Sequence, residues 1–120
     1  MTRIAISSFV VAVVAAAAFL VPAQGSTGRL TGEVGPGFTI EVSKAGKDVK
    51  TLKAGTYKIK VEDKASIHNF HLIGPGVNRK TGVSFKGETT WTVKLKAGRY
   101  TYQCDPHAAS GMRGHFKVTR

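Results

Sequence analysis

Short runs in which every second residue is apolar set the strongest limit on the fold of this 120-residue chain. Alternation at a period of two is typical of strands that bury one face and leave the other wet. Glycine and proline separate the runs, and helical periodicity is nowhere sustained. The pattern predicts an all-β fold, a Greek-key β-sandwich, with strands in segments 38–42, 57–61, 91–95, 100–104 and 115–119.

The first 23 residues have the composition of a secretory signal peptide. Arg3 supplies a positive charge, residues 9–21 carry no polar side chain, and small residues surround a break at Val21-Pro22-Ala23. Counted from Ile4, the apolar run is also long enough to span a bilayer, so an uncleaved membrane anchor remains an alternative. We expect cleavage and an exported protein, located in the periplasm or outside the cell.

The rest of the chain is long enough for one hydrophobic core and too short for two. We assign residues 24–36 to a lead-in with a possible first strand. Residues 37–120 form the remainder of a single domain, which we expect to be a monomer.

Basic residues outnumber acidic ones, with 18 Lys and Arg against 7 Asp and Glu and a formal charge of +11. Removal of the leader takes away only Arg3, which leaves +10. Such an excess favours acidic partners or an anionic membrane surface, although dispersed lysines can also serve solubility alone. The lysines are spread at strand and turn spacing, and the protein is expected outside the cytoplasm. We therefore expect no nucleic-acid partner.

One loop, residues 102–116, holds the only cysteine, two of the four histidines and one of the two methionines. A lone cysteine cannot form a disulfide within the chain. Cys104 is therefore a buried structural thiol, half of an intermolecular disulfide or a thiolate used for chemistry. Cys104, His107 and Met112 offer a thiolate, an imidazole and a thioether, and a site of two His and one Cys with a distant Met is the blue-copper arrangement. The loop therefore predicts a copper site that needs a second histidine.

The sequence offers three candidates for that second imidazole: His68, His71 and His115. On a continuous strand, His68 would share its face with the apolar residues Phe70 and Leu72, whereas His71 would point to the opposite, wetter face. Strand parity therefore favours His68 but leaves the other two open.

The segments His68-Asn69-Phe70 and 104–112 resemble those of the cupredoxins, the small blue copper proteins similar to plastocyanin, pseudoazurin and amicyanin. The resemblance implies a cupredoxin-like sandwich whose copper ligands are His68, Cys104, His107 and, in the axial position, Met112. It also implies that the backbone of Asn69 hydrogen-bonds toward the ligand sulfur and tunes the metal from outside its ligand shell.

The same resemblance makes His107 the port through which electrons enter and leave. An apolar surface for partner docking would surround it, formed by Pro106, Ala108, Ala109 and the turn at residues 74–76. We expect the function to be transport of single electrons by Cu(II)/Cu(I) cycling between redox proteins. The partners would be acidic and of the cytochrome, oxidase or dehydrogenase type.

Other functions fit the residues less well. A copper carrier or scavenger without redox turnover would have a similar loop, and a metal-free adhesion domain would hold the same cluster by accident. Structural zinc is disfavoured by a methionine in fourth place, because such sites take Cys and His. A cysteine hydrolase is disfavoured because no local protease signature surrounds Cys104. We expect no enzyme activity.

Overall fold

The computed structural model describes residues 28–120, so the predicted signal peptide at residues 1–23 lies outside the described part. The described residues form ten strands and one short 3₁₀ helix, Asp105–Ser110. In chain order the strands are β1 (Gly28–Val34), β2 (Ile40–Lys44), β3 (Lys47–Asp48), β4 (Thr51–Lys53), β5 (Gly55–Asp63), β6 (His71–Gly74), β7 (Val77–Lys80), β8 (Gly87–Leu95), β9 (Gly98–Gln103) and β10 (Arg113–Thr119). Within residues 28–120, no helix has the length and apolar character needed to cross a membrane.

The strands form two five-stranded sheets, which confirms the predicted all-β architecture. The first sheet has the order β3-β2-β1-β5-β8, and the second has the order β4-β10-β9-β6-β7. Most neighbours are antiparallel, but β1 pairs with β5 and β4 pairs with β10 in parallel. Strands distant in sequence therefore lie side by side. Because the end of β9 lies beside the start of β6, the loop after β9 and the loop before β6 meet at the same end of the second sheet.

The core between the sheets consists of the apolar residues that alternate along the strands. The predicted inward residues are buried: Tyr57, Ile59, Val61, Trp91, Val93, Leu95, Tyr100, Tyr102, Cys104, Phe116 and Val118. Phe70 is completely buried, with its ring stacked on Tyr102 at 6.3 Å and tilted against Trp91 at 6.0 Å. A Cβ atom on Gly32 would lie 2.6 Å from the Phe70 ring, so glycine there makes room for it.

One strand prediction was wrong at its start, because β2 begins at Ile40 and not at residue 38. Phe38 is not an inward strand residue: it is 67% exposed in the loop before β2. The amide of Gly35 donates to the carbonyl of Thr39 at 2.9 Å, and this tight turn keeps Phe38 out of the strand.

The continuous strand on which the parity of His68 was judged is not formed at residues 68–70, because β6 begins only at His71. The Phe70 amide donates to the Thr81 side chain at 2.9 Å, and the Phe70 carbonyl accepts from the Thr81 amide at 3.0 Å. Asn69 is consequently buried.

Candidate metal centre

The loop after β9 is held in shape by its own backbone. The Cys104 amide donates to the Met112 carbonyl at 3.0 Å, and the His107 amide donates to the Cys104 carbonyl at 3.1 Å. Pro106 lies in the first turn of the 3₁₀ helix, and Gly111 caps its end with a left-handed φ of 105°, a conformation that glycine adopts without strain. These bonds place Cys104, His107 and Met112 on one compact loop, as the sequence predicted.

The upstream histidine comes from the segment between β5 and β6. His68 is completely buried, and the Phe70–Thr81 backbone pairing fixes the chain two residues further on. Its Nε2 atom has no hydrogen-bond partner within residues 28–120. The polar neighbours of this buried imidazole therefore lie on its Nδ1 side, where it faces Cys104 and His107.

Three donor atoms converge on one point. The Nδ1 atoms of His68 and His107 lie 3.1 Å apart, and Cys104 Sγ lies 3.7 Å from the first and 3.4 Å from the second. A point equidistant from the three atoms lies about 2 Å from each, which is the length of a metal–imidazole bond. The triangle thus fits a single metal ion, and a His₂Cys set is the trigonal copper donor set.

The geometry decides among the histidines that the sequence left open. His68, Cys104 and His107 form the only group of three metal-donor residues in the described part of the chain. His71 points its Nδ1 at Asp105, 2.8 Å away, and its Nε2 at Asn78. His115 lies on β10 and contacts Thr101 at 3.0 Å. Neither belongs to the donor cluster.

Met112 is buried, with 2% of its surface exposed, and it closes the loop that carries the other donors. Its amide donates to the His107 carbonyl at 3.2 Å, while its carbonyl accepts from Cys104. These contacts keep the residue beside the cluster, where an axial thioether belongs. The axial role itself remains a prediction.

A network that the sequence did not reveal joins the two ligand segments. The side-chain amide of Asn69 donates to Asp105 Oδ2 at 2.9 Å, and its carbonyl oxygen accepts from the Asp105 amide at 2.7 Å. Gln103 and His71 also contact Asp105 Oδ1. Asn69 thus connects the segment after His68 to the residue after Cys104. Its predicted backbone contact with the sulfur remains a prediction.

The carboxylate of Asp105 is the centre of this network. Burial raises the pKa of Asp105, and hydrogen bonds from Gln103, Asn69 and His71 outweigh that effect and lower the pKa to about 2. No sequence signal identifies this role, because Asp before Pro is also ordinary turn chemistry.

Replacing Asp105 with alanine should therefore destabilise the metal-free protein. The lowered pKa corresponds to a stabilisation of the folded state, which solvent screening reduces because a third of the side chain is exposed. We expect the free energy of unfolding to fall by about 1–2 kcal/mol at neutral pH. The folded pKa lies below the ordinary value of 3.8, so this stabilisation is complete above that value and disappears as pH falls toward about 2.

Urea denaturation at several pH values would measure the effect. Asp48→Ala is the control, because it removes an exposed carboxylate from the ion pair with Lys50 and should change stability by less than about 1 kcal/mol. An equal loss in both variants, or no dependence on pH, would contradict the network.

A second feature that the sequence did not indicate is an aromatic side chain packed over the metal-donor residues. The ring of Phe38 lies edge-on to the His68 imidazole at 5.5 Å and to the His107 imidazole at 5.0 Å. The loop between β1 and β2 thus reaches over the solvent side of the cluster. No donor-type residue marks this loop, so ligand spacing could not have indicated it.

Fold and donor cluster together define a copper-binding β-sandwich protein. A family model described as copper binding proteins, plastocyanin/azurin family, matches residues 34–119, and the chain therefore belongs to this family of cupredoxins. The predicted family and its copper cofactor are confirmed, with His68, Cys104 and His107 as the metal site.

Solved structures of rusticyanin are similar to this chain. The copper protein rusticyanin matches with a TM-score of 0.61 and 26% identity over 79% of each chain. Rusticyanin from Thiobacillus ferrooxidans matches with a TM-score of 0.57 and 28% identity, also over 79% of each chain. Reduced rusticyanin matches with a TM-score of 0.58 and 27% identity, over 79% of this chain and 81% of that one.

Proposed function

We propose that this protein is an exported type 1 copper protein that carries single electrons between redox protein partners. The observation that carries the proposal is the convergence of Cys104 Sγ and two Nδ1 atoms on one buried point. The sequence pattern of the leader supports export, and family membership supports electron transport.

Bound copper would supply a one-electron couple between Cu(II) and Cu(I). Around it, His68 and Cys104 are completely buried, so water is excluded from two of the three donors. The Asn69–Asp105 hydrogen bonds hold the two donor segments at a fixed separation. Rigid donors need to move little when the charge at the site changes, which favours fast electron exchange. We further propose that Met112 supplies the weak axial thioether.

His107 is the donor through which electrons would pass to partners. It is the only partly exposed member of the cluster, and Ala108 and Ala109 follow it on the helix. The ring of Phe38 extends this apolar surface on the other side of the imidazole. The turn at residues 74–76 does not contribute, contrary to expectation. Pro75 contacts Tyr100 and lies beside Gly98, at the end of β9 opposite to Cys104.

An electron carrier and a copper scavenger differ in what happens on reduction. We expect the loaded protein to retain its copper through repeated reduction by ascorbate and oxidation by ferricyanide, in the presence of the Cu(I) chelator bathocuproine disulfonate. The buried donors hinder access of the chelator. His107→Ala, which removes the partly exposed donor, should release copper under the same conditions. Release from the wild-type protein at the first reduction would favour the scavenger instead.

A further inference from the structure

The two sheets carry very different charge. The strands of the first sheet contain six Lys and Arg and six Asp and Glu. The strands of the second sheet contain six Lys and Arg and no acidic residue. The basic excess of the strands therefore belongs entirely to the second sheet, although the sequence disperses lysines along the whole chain.

Register places most of these cations on the outward surface of the second sheet. Phe116 and Val118 of β10 point into the core, so the residues that alternate with them point outward. Lys117 lies directly opposite Arg99 on β9. We define the basic face as the outward side chains of Lys53, Lys80, Arg99, Arg113, His115 and Lys117.

Nothing within residues 28–120, which include all seven acidic residues, forms an ion pair with the lysines and arginines of the basic face. On the first sheet, by contrast, Lys60 lies 3.2 Å from Glu62 and 3.6 Å from Glu88. The Asp105 carboxylate, on the loop after β9, contacts Asn69, His71 and Gln103 and pairs with none of these lysines and arginines. The positive potential of this face is therefore not cancelled.

Folding does not explain this arrangement. Like charges directly opposite on neighbouring strands destabilise a sheet, and Arg99 opposite Lys117 is such a pair. His115 feels the same field, because burial and the neighbouring Arg99 and Arg113 all lower its pKa. A face that costs stability and remains positive is suited to bind an anionic surface.

We propose that the basic face docks the acidic surface of a redox protein partner; this inference rests on the proposed electron-carrier function. The face adjoins the metal loop, since β10 begins at Arg113, next to Met112, and β9 ends at Gln103, next to Cys104. A partner bound here would lie beside the redox centre. Among residues 28–120, the large exposed apolar residues are Phe38, Ile67 and Val83, and all three lie off this face, which favours a charged protein surface over insertion into lipid.

The test compares two charge-reversal variants that change net charge equally. Arg99→Glu/Lys117→Glu alters the basic face, and Lys58→Glu/Lys94→Glu alters exposed positions on the first sheet. Binding of each metal-free protein to poly-L-glutamate, a polyacidic peptide, is measured as ionic strength rises. We expect the basic-face variant to bind about tenfold more weakly at low salt and the first-sheet variant to change less than about twofold.

The outcomes separate a local docking face from net charge alone. Equal weakening in the two variants, or no weakening in either, would overturn the proposal. Vesicles of phosphatidylglycerol provide the membrane comparison. If they bind more tightly than poly-L-glutamate and depend on the same two residues, the occupant is a lipid surface and the protein partner is overturned.

Failure of the electron-carrier function would be visible separately. Reduction of the copper-loaded variants by ascorbate depends on the metal site and should equal that of the wild-type protein. Exchange with an acidic cytochrome should slow with rising salt in the wild-type protein and lose that dependence in Arg99→Glu/Lys117→Glu. A wild-type protein that ascorbate cannot reduce would refute the carrier function, whereas the poly-L-glutamate result would still decide on the basic face.

Discussion

Replacing Cys104 with serine is expected to abolish the intense visible absorption of the copper-loaded protein. Cys104 is the only thiol in the chain, and its sulfur is the one soft donor in the triangle with His68 and His107. A serine hydroxyl is a hard donor that stays protonated, so it cannot replace a thiolate in a copper site. We expect Cu(II) affinity to fall by more than the roughly 10–100-fold that loss of a residue supporting a ligand costs.

The variant should nevertheless fold, because serine fits the space of cysteine and the loop is held by backbone bonds from Cys104 to Met112 and from His107 to Cys104. Far-ultraviolet circular dichroism would check the fold, and titration with Cu(II) would check the site. Met112→Leu and His115→Ala are the controls: both should keep an intense band, because neither removes the thiolate. An unchanged band in Cys104→Ser would refute thiolate coordination.

Replacing Phe70 with alanine should cause the largest loss of stability. The Phe70 ring is completely buried between Trp91, Tyr102 and the space left by Gly32. Truncation of a buried phenylalanine to alanine costs about 3–5 kcal/mol, since it removes apolar contacts and leaves a cavity. That is a large fraction of the roughly 5–15 kcal/mol that stabilises a typical domain.

The effect should extend to the metal centre, because Phe70 anchors the segment that carries His68 and Asn69. Urea denaturation of the metal-free protein gives the stability, and Cu(II) titration of the folded variant gives the affinity. Phe38→Ala is the matched control: the same truncation at a ring that is 67% exposed should cost less than about 1 kcal/mol. Equal losses in the two variants would show that burial of Phe70 does not stabilise the fold.

The sequence was most informative where one local rule decides the outcome. Alternation alone identified the inward faces of β5, β8 and β9, because a one-residue shift would expose every apolar side chain. Spacing on a single loop brought Cys104 and His107 together, since nine residues between two strands allow few arrangements. Strand parity favoured His68, although residues 68–70 do not form a strand. His68 is buried because the backbone of Phe70 is anchored to Thr81.

The remaining features depend on contacts between segments that the sequence keeps apart. Phe38 covers the donors only because the loop after β1 lies over the end of β9, and Asp105 acts through Asn69, 36 residues away. The basic face depends on strand order: Arg99 and Lys117 meet because β9 pairs with β10. Composition reports the total charge, but only the topology assigns it to one sheet.

A potentiometric titration of the copper-loaded protein, followed by its visible absorption, would test the electron-carrier function directly. We expect one reversible one-electron transition per protein molecule, in which the band disappears on reduction and returns fully on oxidation. A protein that binds one copper ion without such a transition, or that loses the band irreversibly after one reduction, would contradict the electron-carrier function.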